Sequence, residues 1–124
     1  MTPDNNNSAS RAVAVVTGGA GFIGSHMVDL LIDRGFRVRV IDNFIGGHER
    51  NLAHLQGHAA LEIVRRDIRA LAEDDDTFDG ARFVFHFAGI GDIVPSIERP
   101  AEYMDINVQG TVRVLECARA AGVE

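Results

Sequence analysis

The stretch Thr17-Gly18-Gly19-Ala20-Gly21-Phe22-Ile23-Gly24 most limits what this chain can fold into. It follows a short, nearly continuous apolar run, Ala12 to Val16, of the kind that forms a strand buried on both faces. It opens a helical pattern from Phe22 to Arg34, with Ile23, Met27, Leu30, Leu31 and Arg34 at helical spacing and Gly35 as the stop. A strand that turns straight into a helix leaves the first helical N–H groups unpaired and aims the positive end of the helix dipole beyond the strand. In such a turn Gly18 permits the tight exit from the strand, Gly21 lets a pyrophosphate approach the backbone, and Gly24 lets the helix pack closely on the sheet. The next run, Phe36 to Ile41, alternates apolar residues with Arg37 and Arg39, reads as a strand nearer the sheet edge, and closes on Asp42. A carboxylate there accepts both hydroxyls of an adenosine ribose and repels a 2′-phosphate, which points to NAD rather than NADP.

The rest of the chain continues the alternation. His48 to Leu55 reads as a short helix ended by Gly57, Leu61 to Val64 as a third strand, and Arg82 to Phe87 as a fourth. Ile68 to Asp76 is ambiguous between a helical turn and surface chain. Pro100 to Ala121 is the longest helical pattern, with Met104, Val108, Val112, Leu115 and Arg119 on one side and Gly122 as the stop. Strands alternating with helices predict βαβ units and a parallel sheet. Residues 1–10 are polar and are expected to be a disordered tail, leaving residues 11–124 as the folded domain.

Composition removes several function classes. Eighteen acids against twelve basic residues give a net charge of −6, which argues against a general nucleic-acid binder. Cys117 is the single cysteine, so an intramolecular disulfide and a multi-cysteine zinc site are both excluded. His48, His54 and His58 lack a completing acid or cysteine, so no metal site is expected. The acidic run Glu73 to Asp76 reads as a solvated loop, Cys117 as a small core residue, and His86 as a residue that packs rather than titrates. No apolar run approaches the roughly 20 residues that span a bilayer, and the N-terminus lacks the order of a signal peptide. A cytoplasmic protein without membrane or nucleic-acid partners is expected.

The glycine spacing, three and three, resembles the short-chain dehydrogenase/reductase superfamily. The fuller string from Val16 to His26 resembles its extended branch, the NAD-dependent nucleotide-sugar epimerases and dehydratases. Further matches run in order down the chain: Ile41-Asp42-Asn43-Phe44; Asp67-Ile68-Arg69, with Arg66 where the branch has glycine; Phe85-His86-Phe87-Ala88-Gly89; Ser96-Ile97-Glu98-Arg99-Pro100; and Tyr103 to Thr111. The text is most similar to UDP-glucose and UDP-N-acetylglucosamine 4-epimerases, with dehydratases and UDP-glucuronate decarboxylases sharing much of it. The resemblance implies a Rossmann-type α/β fold, a doubly wound parallel sheet with strands in the order 3-2-1-4. It implies that Gly18, Gly21, Phe22, Ile23 and Gly24 surround the pyrophosphate, Asp42 and Asn43 the adenosine ribose, and Asp67 and Ile68 the adenine. Phe87, Ala88 and Gly89 would run along the nicotinamide side. Asn107 would tie a helix to the sheet and order a proton-relay water.

The same resemblance implies a fifth strand after the long helix, a catalytic Ser or Thr, a Tyr-x-x-x-Lys pair and a C-terminal domain that binds the nucleotide sugar. None of these stands in the 124 residues: all twelve basic residues are arginine, and the single tyrosine, Tyr103, has Asn107 four residues on. The expectation is therefore a partial Rossmann domain without a catalytic residue of its own. A UDP-sugar would be a partner only when the missing part is present, and the open fourth strand or long helix would support a homodimer. A non-catalytic dinucleotide-binding module is the competing expectation.

Overall fold

The computed structural model describes residues 11–124; the expected tail, residues 1–10, lies outside the described residues. Strand β1 (Val13–Thr17) leads through the glycine turn into helix α1 (Phe22–Asp33), which returns to β2 (Arg37–Asp42). Two single 3-10 turns, Glu49–Asn51 and Ala53–Leu55, precede β3 (Leu61–Arg65), and two more, Ile68–Ala70 and Asp76–Phe78, precede β4 (Ala81–His86). Helices α2 (Ile93–Glu98) and α3 (Pro100–Met104) follow. α3 continues through a π-helical turn, Asp105–Gln109, into α4 (Gly110–Ala120). The sheet is parallel throughout and ordered β3-β2-β1-β4, as the resemblance implied.

β1 is buried along its whole length because both faces are covered. Val13 and Val15 point into one core with Ile41, Phe78, Val114 and Cys117 on the α4 side. Ala14 and Val16 point into the other with Val28, Leu31, Val38 and Val40 on the α1 side. β2 alternates yet lies inside the sheet, one strand in from the edge. Arg39 turns its guanidinium to the carbonyls of Thr77 and Asp79, at 2.8 and 2.7 Å. α1 and α4 each end on paired backbone bonds, Phe36 N to Leu31 O and Gly35 N to Ile32 O in one, Val123 N to Ala118 O and Gly122 N to Arg119 O in the other.

Several details differ from the sequence reading. The segment 48–55 forms 3-10 turns rather than one helix. α1 buries Gly24, Ser25, Val28 and Leu31, while Ile23 and Leu30 face outward. The apolar stripe of the long helix is likewise its outer side: Met104, Val108, Val112 and Leu115 are exposed, and Ile106, Gly110, Val114 and Cys117 are buried. Closeness explains both rotations. A Cβ on Gly24 would lie 2.1 Å from Gly18 O in the glycine turn, and one on Gly110 would lie 2.5 Å from Ile68 Cδ1 in the turn after β3, so these glycines mark the inward sides of their helices. The acidic run is not uniformly solvated either. Asp75 has a buried side chain that pairs with Arg66 and accepts from Thr77 N at 3.0 Å. Among the described residues no helix is long and apolar enough to cross a membrane, and no group of side chains has the makings of a metal site.

Candidate functional site

A cavity of about 170 Å³ opens where the strands end, between the glycine turn and the end of β4. That is where a parallel α/β sheet places ligands, because the strand order reverses between β1 and β4. Its walls include Gly18, Gly21, Asp42, Asn43, Asp67, Ile68, Phe87, Ala88 and Gly89, nine of the residues expected from sequence. Phe22, Ile23, Gly24 and Asn107 are not in the wall. Phe22 and Ile23 stand exposed at the head of α1, Gly24 sits beneath the turn, and Asn107 supports the wall from behind.

The turn is built for close approach. Gly18 has φ +69°, and a Cβ there would fall 2.7 Å from Ala88 N, so glycine turn and β4 end are in contact. Gly21 is the N-cap of α1 and offers no side-chain cap. No acid occupies the first helical turn, so the leading N–H groups have neither a side-chain acceptor nor a local negative charge. An anion at this helix end meets both needs.

Asp42 ends β2 with a mostly buried side chain. Its Oδ2 accepts from Ala20 N at 2.9 Å and its Oδ1 from Phe44 N at 2.7 Å. The carboxylate thus joins the glycine turn to the loop that follows β2, and each oxygen keeps a lone pair. The same loop is tied back by His48 N and Asn51 Nδ2, which both donate to Ala20 O, at 3.0 and 2.8 Å. Gly47 lies against the clasp, 3.0 Å from Asp42 Oδ2 to a Cβ placed there. Phe44 takes the left-handed conformation, φ 63°, and carries the Arg65 guanidinium 4.0 Å over its ring.

Asp67 is held by Arg69 through backbone N–H, Nε and the terminal nitrogen, at 2.9, 3.1 and 2.7 Å. These bonds bring its pKa down to about 2. Asn43 Nδ2 makes the longest contact to it, 3.4 Å. Arg69 also reaches Asp105 at 3.1 Å and so links the cavity floor to the π-helical turn. There Asn107 clasps the backbone of Ile90, accepting from its N–H at 2.9 Å and donating to its carbonyl at 2.8 Å.

Sequence reading missed the loop wall Ile45, Gly46 and Gly47, and missed Arg66, Ile90, Glu102 and Ile106, which also line the cavity. The Gly46-Gly47 pair was the available signal, since two glycines after a strand-end acid allow a loop to fold down on it. Arg66 was visible only as a departure from the resembled pattern.

Residues 14–124 match the NAD dependent epimerase/dehydratase family. The chain belongs to this family. The UDP-glucuronic acid decarboxylase 1 of Arabidopsis thaliana is 41% identical over 110 residues, covering 87% of this chain and 24% of that protein. The UDP-glucose 4-epimerase 1 of Oryza sativa subsp. japonica is 39% identical over 122 residues, 93% of this chain and 34% of that one. A double mutant of the dTDP-glucose 4,6-dehydratase of Streptomyces venezuelae, solved with NAD bound, superposes with a TM-score of 0.82 at 36% identity, covering 89% of this chain and 36% of that chain. The chain spans between a quarter and about a third of the lengths of these relatives. NAD is the cofactor of the family.

Proposed function

We propose that residues 11–124 bind NAD in this cavity and form the cofactor half of an enzyme that acts on nucleotide sugars, of the UDP-sugar 4-epimerase type. The observation that carries the reading is the Asp42 carboxylate at the end of β2, held beside an uncapped helix N-terminus across a glycine turn. The α1 N–H groups at Phe22 and Ile23 receive the pyrophosphate, with Gly21 leaving room for it. The free lone pairs of Asp42 take the adenosine ribose, with Asn43 beside it. Asp67 takes the adenine amino group by replacing the long contact to Asn43, and Ile68 packs on the base. Phe87, Ala88 and Gly89 carry the nicotinamide side, and Asn107 fixes the loop behind them.

When bound, NAD supplies the hydride acceptance and return that invert a sugar carbon through a 4-keto intermediate. The proton-handling Tyr–Lys pair and the sugar-binding domain come from outside residues 11–124, and a UDP-sugar binds only with them. Self-association through the β4 edge or the exposed Met104–Leu115 side of the long helix completes this reading; sedimentation of the chain as a monomer at high concentration would remove that part. The 41% identity to a decarboxylase supports a second reading, in which the same half serves UDP-glucuronate decarboxylation.

Calorimetry with NAD tests the shared claim. NAD is expected to bind and NADP to bind more weakly. Asp42→Ala should remove binding, and unchanged affinity in that variant would end the ribose assignment. Epimerisation of UDP-glucose by the 124-residue chain alone would refute the division of labour.

A further inference from the structure

We infer that His86 is a positioning residue for the nicotinamide end of the site: a neutral imidazole, protonated on Nε2, at the centre of a one-directional run of hydrogen bonds from Thr17 through Thr111 to Asn107 that closes a ring around residues 87–90. The inference rests on the NAD reading above. It starts at Thr17, buried at the end of β1. Thr17 Oγ1 accepts from Ala88 N at 3.2 Å, and Phe87 N shares its hydrogen between Thr17 O at 3.0 Å and Thr17 Oγ1 at 3.1 Å. A hydroxyl has two lone pairs and one proton. The two backbone N–H groups face its lone pairs, so the proton goes to the one remaining partner, His86 Nδ1 at 2.6 Å. Nδ1 is therefore bare.

The other side of the ring gives the same answer independently. Thr111 Oγ1 donates to Asn107 O at 2.6 Å, so it accepts from His86 Nε2, 2.9 Å away. Nε2 therefore carries the proton. A charged imidazolium would bring a third donor to Thr17 Oγ1 and leave the hydroxyl proton without an acceptor. The opposite tautomer would require both threonines to reverse. Burial also pushes the pKa of His86 down, in keeping with a neutral ring.

Asn107 then completes the circuit, since its side chain clasps Ile90 through two bonds. Phe87, Ala88, Gly89 and Ile90 all line the cavity, and apart from the sheet bond of Phe87 N to Thr17 O their backbone is held through Thr17 Oγ1 and Asn107. The N–H groups of Phe87 and Ala88 are directed to Thr17 and are not donors for a ligand. The ring thus sets how the β4 end is presented, and the helix carrying Thr111 and Asn107 is locked to it. The adenosine end, held by Asp42 and Asp67, shares none of these bonds.

Two measurements on the intact chain test this. Long-range ¹H–¹⁵N NMR at neutral pH should show His86 as the neutral Nε2–H tautomer; an Nδ1–H ring or an imidazolium overturns the proposal even if every variant misfolds. In calorimetry Thr111→Val should weaken NAD binding about tenfold, the loss of one hydrogen bond's worth of alignment. ADP, which carries the adenosine and pyrophosphate but no nicotinamide, should bind Thr111→Val as it binds the parent, and Thr111→Ser should restore NAD affinity. Parallel loss of NAD and ADP would show a general structural role and overturn the proposal, as would unchanged NAD affinity. A parent chain that binds neither ligand would remove the underlying NAD reading and this inference with it, whereas tight NAD binding by parent and Thr111→Val alike would remove this inference alone.

Discussion

The two walls of the cavity are held in different ways. The glycine-turn wall, β1–α1–β2, rests on packing, with the Asp42 clasp added at its rim: β1 is wholly buried, and Gly24 rides directly on the carbonyl of Gly18. The opposite wall, from β4 through α2 to the π-helical turn, has little packing of its own. β4 is mostly half-buried, and α2 buries no residue, leaving Ile93, Val94 and Ile97 at 77, 63 and 75% exposure. Directed bonds hold that wall: Thr17 to His86 to Thr111, Asn107 to Ile90, and Arg69 to Asp105. Packing fixes a shape at little cost in orientation. Hydrogen bonds fix orientation while leaving apolar surface uncovered, which suits the side of a site where ring geometry decides a reaction.

The largest effect should come from overfilling the packed wall. Gly24→Ala drives a Cβ into the backbone of Gly18, so a loss of ~3 kcal/mol or more is expected in denaturant unfolding, with NAD binding lost as well. Leu31→Ala, at the centre of the α1 core, should cost about 2–3 kcal/mol through its cavity while leaving the glycine turn in place. On the bonded wall Asn107→Ala removes two hydrogen bonds to an exposed loop. A loss of about 1–2 kcal/mol is expected, with proteolysis newly directed to residues 87–92; a variant as protected as the parent there would break the comparison.

Acid is a gentler probe of the same wall. Burial lowers the folded pKa of His86, so between that value and the ordinary imidazole value the unfolded chain binds more protons. Its contribution to stability is complete above about pH 6.5 and falls as pH drops toward the folded value. Arg119 and Glu124 line the groove His86 faces. The acid-side slope of stability against pH should flatten in His86→Gln, and an unchanged slope would assign the acid response to other groups. Smallest of all, Ile97→Ala should change stability by less than about 0.5 kcal/mol. A loss matching Leu31→Ala would mean that α2 is packed after all.

The sequence made the packed wall legible and the bonded wall only partly so. An apolar run, a glycine turn and a strand-end acid are local signals, and they placed β1, α1, β2 and Asp42 correctly. The strand order followed from the family resemblance. What escaped was whatever depends on rotation or on distant partners. α1 and the long helix carry apolar residues on more than one side, so periodicity could not say which stripe faces the sheet; Gly24 and Gly110, read as contact points, would have. The ring through His86 joins β1 to the end of β4 and to α4, 69 and 25 residues apart, and no local pattern announces such a pairing. His86 read as a packing residue, which its two threonine partners sharpen into a specific tautomer.

The strand order has a kinetic side. β1 pairs with β2 across one short crossover, Val13 beside Arg37, but reaches β4 only after the chain has passed through β3, Val13 beside Ala81. Closing the longer segment costs on the order of 1 kcal/mol more in chain entropy than closing the shorter one. The strand that pays this has the lesser burial to set against it. The β1–α1–β2 unit is therefore expected to form early in the folding reaction and β4 late, so substitutions around β4 should quicken unfolding far more than they slow folding.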